Sequence, residues 1–502
     1  MSRTSRTVAA VDLGAESGRV AAVSFDGERL DLSVAHRFAH VPSVMDGVLR
    51  WDLDVLQAGI DHGLDVLAHG DVPLASVGVD TWGVDFGLLD ARGQLVDRPT
   101  CYRDPRQSAA RALAINTVGA DRLYGATGVQ IIDINTIFAL LDDARNHPDR
   151  LAQARTLLMM ADVFHHRLSG STVTELTAAS TSGCYDTAST AWATDLLDAL
   201  DIPTHFLPQV VPPGTDVGAL RGEFAQGKLA GARVILPPGH DTACAVVGTP
   251  LADPDGLYIS SGTWSLVGVE TPRPVITAQT RAANITNEAG YGGTIRLLRN
   301  VTGLWILQAC RNHWAQSGLQ LDYAEMAELA RATPPLRFLI NPNAPEFLAM
   351  GDMPGRIQAY CERTGSAAPT DVAEVIRCVI DSLALSYRHV VEDLHAVTGR
   401  RVPSINIVGG GSKNQFLSQL TSDAVGVPVH CGPVEATVLG NAASQLVALG
   451  ELNGLGDIRR VVAATSELVS YFPHPSQAWD VAYEHFTQIV AADRRRDGLS
   501  AT

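Results

Sequence analysis

Apolar positions near the start of the chain fall into short runs that predict strands. Thr7 to Leu13 is nearly continuous, Gly18 to Phe25 is a second run, and Leu30 to Phe38 alternates apolar and polar residues as a third strand would. The link Gly14-Ala15-Glu16-Ser17 is short and contains glycine, so the first two runs are expected to form an antiparallel hairpin. Leu53, Leu56, Ile60, Leu64 and Leu67 then recur at helical spacing over 53–68, and Ser76 to Trp82 returns to strand. Three strands, a helix and a further strand predict a mixed α/β layer rather than a uniform βαβ array. Residues 105–225 hold helical stretches broken by Gly and Pro, without an internal repeat.

In the middle of the chain, Ala232 to Leu236 reads as a buried strand. Pro237, Pro238 and Gly239 end it, since neither proline can donate to a ladder. A helix is expected from Thr242 to Val247, with Asp241 at or beside its N-cap. There the helix dipole and backbone N–H groups favour the ionised carboxylate, which could accept a proton from a bound hydroxyl. The plain structural role for Asp241 is the cap alone. After a linker at 248–256, Leu257 to Val269 repeats the strand, glycine turn, strand arrangement of residues 8–25, which suggests a duplicated unit handling a nucleotide. Asp371 with Glu374 resembles a capping pair opening a long one-faced helix through Leu394. Ser404 to Val408 is a strand that ends in Gly409-Gly410-Gly411. A strand at 427–430 and a helix from Glu435 to Leu449 follow.

A chain of 502 residues exceeds one core, and the expected division is 1–247, 248–450 and an extension over 451–502. A formal charge of −16 argues against nucleic acid or an anionic membrane as partner. The Arg494-Arg495-Arg496 cluster, beside Asp493 and Asp497, reads as a solvated tail. Seven scattered cysteines form no Cys-x-x-Cys pair and suit reduced thiols in the cytoplasm; a Cys361–Cys378 bridge is conceivable but unexpected there. The basic opening Met1–Arg6 precedes an apolar run too short for a signal core, and no run is long enough to span a membrane.

Phosphate chemistry was sought at the glycines. The stretch Gly222 to Leu229 has the P-loop glycines and Lys228, but Leu229 stands where a metal-binding hydroxyl is required, so it is a surface turn. The hairpin Asp12-Leu13-Gly14-Ala15-Glu16-Ser17-Gly18-Arg19 can turn amides, the Ser17 hydroxyl and Arg19 toward an anion, and Asp12 could hold Mg²⁺ through water. Ser261-Gly262-Thr263 is a second such turn. The triple glycine 409–411 permits close approach of a flat ligand. His165-His166 has no carboxylate at ligand spacing and reads as structural. Asn300, before an apolar stretch, has the place of an N-cap.

Taken in order, the 12–19 hairpin, Gly239-His240-Asp241-Thr242-Ala243, Ser261-Gly262-Thr263-Trp264-Ser265 and Gly409-Gly410-Gly411-Ser412-Lys413-Asn414 resemble the FGGY family of carbohydrate kinases over residues 7–450. The segments 78–86, 102–106, 283–288, 300–308 and 432–436 are similar to one ketose-kinase branch of it. The resemblance implies two α/β domains of the actin, hexokinase and Hsp70-like (ribonuclease H-like) fold with a substrate cleft between them. It implies ATP and Mg²⁺ as cofactor and metal, a small ketose as substrate, and Asp241 as catalytic base. Gly83, His240, Asp241, Thr242 and Asn300 would contact the ketose; Ala15, Glu16, Ser17, Gly18, Arg19, Thr263, Gln308 and Gly410 would contact ATP. Glu16 departs from the small residue usual in that turn, and an acidic side chain there must point away from phosphate or meet the metal. Xylulo-, ribulo- and fuculokinases are alternative readings within the family. A sugar or nucleotide sensor without turnover is the alternative outside it. The oligomeric state is open.

Overall fold

The expected hairpin is the centre of the first sheet. A computed structural model describes residues 5–251, 253, 255–348 and 351–496. The opening residues Met1–Thr4, Ala252 and Pro254 of the linker, and Asp497 with the residues after it lie outside that set. Arg6–Leu13 pairs antiparallel with Ser17–Phe25, setting Val8 opposite Val23 and Asp12 opposite Arg19.

Contacts divide the chain into two units. The first comprises Met1–Pro250, Glu270–Leu297 and Ala436–Ser466; the second comprises Leu251–Val269, Leu298–Glu435 and Glu467–Thr502. Beside the boundary expected at 247/248, the chain therefore changes unit at later points too. The 451–502 extension is shared between the units. Local patterning shows that a helix has an apolar face, and it is silent on which sheet that face will cover.

In the first unit six strands run in the order Asp216–Ala219, Arg233–Ile235, Ser76–Thr81, Arg6–Leu13, Ser17–Phe25, Leu30–Ala39. The three central neighbours Arg233–Ile235, Ser76–Thr81 and Arg6–Leu13 are parallel. Both faces of Arg6–Leu13 are covered, which explains its continuous apolar run. Ala9, Val11 and Leu13 pack with Leu56, Ile60 and Leu64 of the helix Leu53–Ala68. Val8 and Ala10 face the other way, onto Val438, Leu439 and Ala442 of the helix Ala436–Ala448. That helix also meets the short helix Asp241–Val247 backbone to backbone: a Cβ on Gly440 would lie 1.9 Å from the Cys244 carbonyl oxygen.

The second unit repeats the plan. This sheet has seven strands, in the order Thr286–Ala289, Ile295–Thr302, Trp264–Thr271, Leu257–Ser261, Ile405–Val408, Val429–Cys431, Val469–Tyr471, the first of them an addition to the plan. Leu257–Ser261 is antiparallel to Trp264–Thr271 and parallel to Ile405–Val408, matching the relation of Arg6–Leu13 to its two neighbours. The helix Val372–Thr398 starts where expected, with the Asp371 side chain accepting from Glu374 N.

The arginine cluster faces solvent as expected, but on a helix rather than a tail. Residues 494–496 finish the helix Gln477–Arg496, where Arg496 pairs with Glu346 at 3.1 Å and Arg494 approaches Asp393 at 3.9 Å. Beneath them Asp493 is buried and accepts from Tyr360 Oη at 2.5 Å and Asn341 Nδ2 at 3.0 Å. A buried carboxylate with these donors pins the helix end, which a run of like charges in sequence conceals. All seven cysteines are free and buried, so Cys361 and Cys378 are not bridged. Among the described residues no helix is long and apolar enough to cross a membrane.

Candidate active site

In the first unit, the strand Arg233–Ile235 runs into Pro237-Pro238-Gly239 and the helix begins at Asp241, so the aspartate is the first helical residue and His240 is the cap. Glu175 grips the corner from below. Its Oε2 accepts from Gly239 N at 2.7 Å, Ala178 N at 3.0 Å and Thr177 Oγ1 at 2.6 Å. Burial pushes the Glu175 carboxyl up to about 7 against those bonds. His240 N donates to Thr177 Oγ1 at 3.3 Å, and Thr81 N donates to Gly239 O at 3.0 Å, tying the corner to the end of strand Ser76–Thr81.

The Asp241 side chain is 28 % exposed. Its Oδ1 accepts from Thr242 N at 2.6 Å and Thr242 Oγ1 at 3.3 Å, and lies 3.3 Å from His240 Nε2. Desolvation raises its pKa above the usual aspartate value, opposed by His240, the Thr242 bonds and Arg296. Asp241 interacts electrostatically with Asp80 and with the buried Cys244 thiol. A carboxylate less acidic than usual, with one oxygen held and the other open, is suited to accept a proton from a hydroxyl.

Asp12 and Asp80 are register partners on parallel strands. Asp12 Oδ2 pairs with Arg19 Nε at 3.1 Å. Asp80 Oδ2 accepts from Asn441 Nδ2 at 2.6 Å, while its buried Oδ1 has no hydrogen-bond partner. Burial first, then the charge of Asp12, pushes the Asp80 carboxyl well above its usual range.

The hairpin tip Gly14–Ser17 is closed by Gly14 N donating to Ser17 O at 3.0 Å, and His40 Nε2 bonds Gly14 O at 2.8 Å. Glu16 interacts electrostatically with His40 and Arg103, which answers the departure noted in the sequence. Gly18 has no room for a side chain, because a Cβ would meet the Phe38 ring at 2.4 Å.

Gly83 also belongs to this corner: a Cβ there would lie 3.2 Å from both His240 Nε2 and Thr181 Oγ1. The first unit thus brings Asp12, Arg19, Gly83, His240, Asp241 and Thr242 into one neighbourhood. Two residues beyond Gly83, Asp85 is buried, with Oδ2 accepting from Trp51 Nε1 at 2.5 Å and Trp82 Nε1 at 2.8 Å.

In the second unit, Trp305 N donates to Thr263 O at 3.1 Å, joining the Ser261–Thr263 turn to the helix Trp305–Gln316 that carries Gln308 on its first turn. Gly409 takes φ +83°, and a Cβ on Gly411 would meet Ser261 Oγ at 2.0 Å, so those two glycines are required by the turn itself. Gly410 is different: it has an ordinary φ, is exposed, and a Cβ there would meet nothing within 4 Å. Asn300 lies within the strand Ile295–Thr302, and the helix that follows is capped by Leu304, so the N-cap role for Asn300 does not hold. His165 is buried, with Nε2 accepting from Val79 N at 3.0 Å, and His166 bonds the carbonyls of Ser171 and Gly93. Both are structural.

Asp80, Glu175, Thr181, Glu288, Arg296 and Asn441 were not singled out by sequence. Asp80 and Glu288 lay inside the segments 78–86 and 283–288 that carry the resemblance; for Asp80 and Arg296 a further signal was a charged residue inside an apolar strand run.

The pattern described as "FGGY family of carbohydrate kinases, N-terminal domain" matches residues 7–248, and that of the C-terminal domain matches residues 257–449. The chain is similar to the rhamnulokinase of Bacteroides thetaiotaomicron, 40 % identical over 482 residues, 96 % of this chain and 99 % of the relative. It is also similar to the rhamnulokinase of Pectobacterium carotovorum subsp. carotovorum, 41 % identical over 501 residues, 99 % of each. The ligand-bound xylulose kinase of Lactobacillus acidophilus superposes with a TM-score of 0.80 at 18 % identity, covering 98 % of both chains, a likeness of fold alone.

Asp85 supplies a pH test. Burial pushes its carboxyl up to about 7, against bonds from Trp51, Trp82 and Tyr102 N. A folded-state pKa above the unfolded value means stability is full below about pH 4 and is lost as pH rises toward 7, about 1.4 kcal/mol per unit of difference. Asp85→Asn keeps an acceptor for the indoles and has no proton to lose. Its melting temperature is expected to match or exceed the parent's at pH 8 and to fall below it at pH 5. Parallel melting curves for the two proteins across that range check this.

Proposed function

The chain belongs to the FGGY family of carbohydrate kinases, and from that premise we propose that it is a cytoplasmic enzyme transferring the γ-phosphoryl group of ATP to the C1 hydroxyl of L-rhamnulose. The observation that carries the substrate is the extent of the similarity: rhamnulokinases match at 40–41 % identity over 96–99 % of the chain.

Asp241 acts as the general base in this reading. Thr242 holds its Oδ1, with His240 Nε2 3.3 Å away, leaving Oδ2 to accept the proton of the hydroxyl as it attacks phosphorus. Gly83, His240, Thr242 and Asn300 contact the ketose; Ala15, Glu16, Ser17, Gly18, Arg19, Thr263, Gln308 and Gly410 contact ATP. Carboxylate oxygens suit a hard divalent ion, but among the described residues no three His, Cys, Asp or Glu side chains are grouped to ligate one directly, so any ion is held through water. Asp12 would hold Mg²⁺ through water, and the ion would supply charge neutralisation at the phosphates.

Three outcomes are expected. In a coupled ADP-release assay across ketoses and glycerol, L-rhamnulose gives the highest kcat/KM; turnover of another ketose with none of L-rhamnulose would overturn the substrate. Asp241→Asn keeps the bond from Thr242 N, so it stays folded while kcat falls ~10²–10⁴-fold. Steady-state kinetics beside a melting curve measure both. Gly410→Leu leaves the melting temperature near the parent's and raises KM for ATP at least ~10-fold, a loss of about 1.4 kcal/mol, with KM for the ketose little changed. Equal rises in both constants would remove Gly410 from the nucleotide site.

A further inference from the structure

Arg296 is fully buried on strand Ile295–Thr302, and its guanidinium faces the proposed base from behind. Nε donates to Ala289 O at 3.0 Å. Both terminal nitrogens lie 3.3 Å from His240 Nδ1, and one of them is 3.1 Å from Glu288 Oε2. Glu288 is itself almost fully buried, and its Oε2 stands 3.5 Å from the same His240 nitrogen.

A guanidinium carries only N–H donors, so a ring nitrogen facing two of them at hydrogen-bond distance must present its lone pair. Neutral histidine has one ring proton, which then resides on Nε2. That atom is 3.3 Å from Asp241 Oδ1. With the opposite tautomer, two N–H groups would meet a third at Nδ1, and two lone pairs would meet between Nε2 and Asp241. The carboxylate of Glu288, 3.5 Å from Nδ1, would alone favour that arrangement; among the described residues its Oε2 accepts no hydrogen bond, and its charge is met by the guanidinium at 3.1 Å.

We infer that Arg296 and Glu288 are positioning residues for the phosphoryl transfer: Arg296 fixes the Nε2–H tautomer of His240 so that the N–H, rather than a lone pair, faces Asp241 Oδ1 3.3 Å away, and Glu288 holds the guanidinium in place. The inference rests on the reading of Asp241 as base. With Oδ1 occupied by Thr242 and faced by the Nε2–H of His240, the proton of the substrate hydroxyl goes to Oδ2, and a ring nitrogen that already carries a proton cannot compete for it. The positive charge also counters the desolvation that raises the Asp241 pKa. Conventional reading would treat the Arg296–Glu288 pair as a buried structural ion pair, which predicts a loss of folding and nothing specific at His240.

The test combines a spectroscopic and a kinetic readout. In the full-length protein labelled with ¹⁵N-histidine, long-range ¹H–¹⁵N spectra at pH 8, with His240 assigned by comparison with His240→Gln, are expected to show a pyridine-type Nδ1 and a protonated Nε2. A protonated Nδ1 in the parent protein overturns the proposal, whatever any variant does. Arg296→Met is expected to mix the two tautomers and lower kcat ~10–100-fold while KM for the ketose moves less than ~3-fold. Arg296→Lys, which keeps the charge but not the fork, restores part of kcat. If Arg296→Met does not fold, Glu288→Gln carries the test: with the guanidinium no longer held, a protonated Nδ1 is expected to become detectable and kcat to fall ~3–10-fold with KM for the ketose little changed, whereas an unchanged His240 signature and kcat would overturn the positioning role. An unchanged His240 signature in folded Arg296→Met, with kcat and KM falling together, would leave only a structural pair. The tautomer signal is independent of whether Asp241 is the base, so failure of that reading, seen as an active Asp241→Asn, is distinguishable from failure of this one.

Discussion

Three carboxylates, Asp12, Asp80 and Asp241, stand at the ends of three neighbouring strands or just beyond them, and their mutual repulsion in a poorly solvated setting is the constraint the first unit is built around. Buried like charges raise one another's pKa, and an unpaired one costs several kcal/mol by the usual scale for ions removed from water. Each is answered by a different partner: Arg19 for Asp12, the Asn441 amide for Asp80, and His240 with Thr242 for Asp241. The partners come from a hairpin strand, a late helix and the corner itself. Much of the polar chemistry within the apolar core follows from this. Gln445, one turn beyond Asn441, donates to Ala9 O and accepts from Ser76 Oγ, tying the same helix to two strands below the carboxylates.

The second unit uses the same strand order for a surface of another character. Its corresponding turns are made of Ser261, Gly262, Thr263 and three glycines, with backbone and hydroxyl groups in place of carboxylates. Small residues and exposed amides let a polar, flat ligand approach without a fixed charge to repel it. Repeating a sheet while changing what its strands end in gives each half a distinct chemistry.

Sequence periodicity located the strands of the first hairpin, the helix at 53–68 and the long helix after Asp371, because each buries one face, or both, against a neighbour close in the chain. The Gly239–Thr242 corner was legible for a related reason: two prolines and a glycine stop a strand, and an acidic residue opens a helix. What escaped was everything whose partner is remote. Arg296 looks like a stray charge in a strand until His240 is placed beside it, and the side chain of Asn441, 361 positions from Asp80, looks like an ordinary helix residue. The Asn300 cap failed because a strand continues through it to Thr302, and the C-terminal arginines were misread as a tail because Asp493 hides among them. The triple glycine was half understood: two of the three are demanded by Ser261 alone.

The late arrival of the helix Ala436–Ala448 also sets an order of events during synthesis. Asn441 is 361 residues downstream of Asp80, which at roughly 5–20 residues per second is a delay on the order of 20–70 s on the ribosome. Throughout that interval the nascent chain holds the strand Ser76–Thr81 without the amide that caps its aspartate and without the apolar face that covers Val8 and Ala10. The first unit is therefore begun early and completed only when Ala436–Ser466 has been made, and its central sheet must wait, partly uncovered, for a segment made near the end.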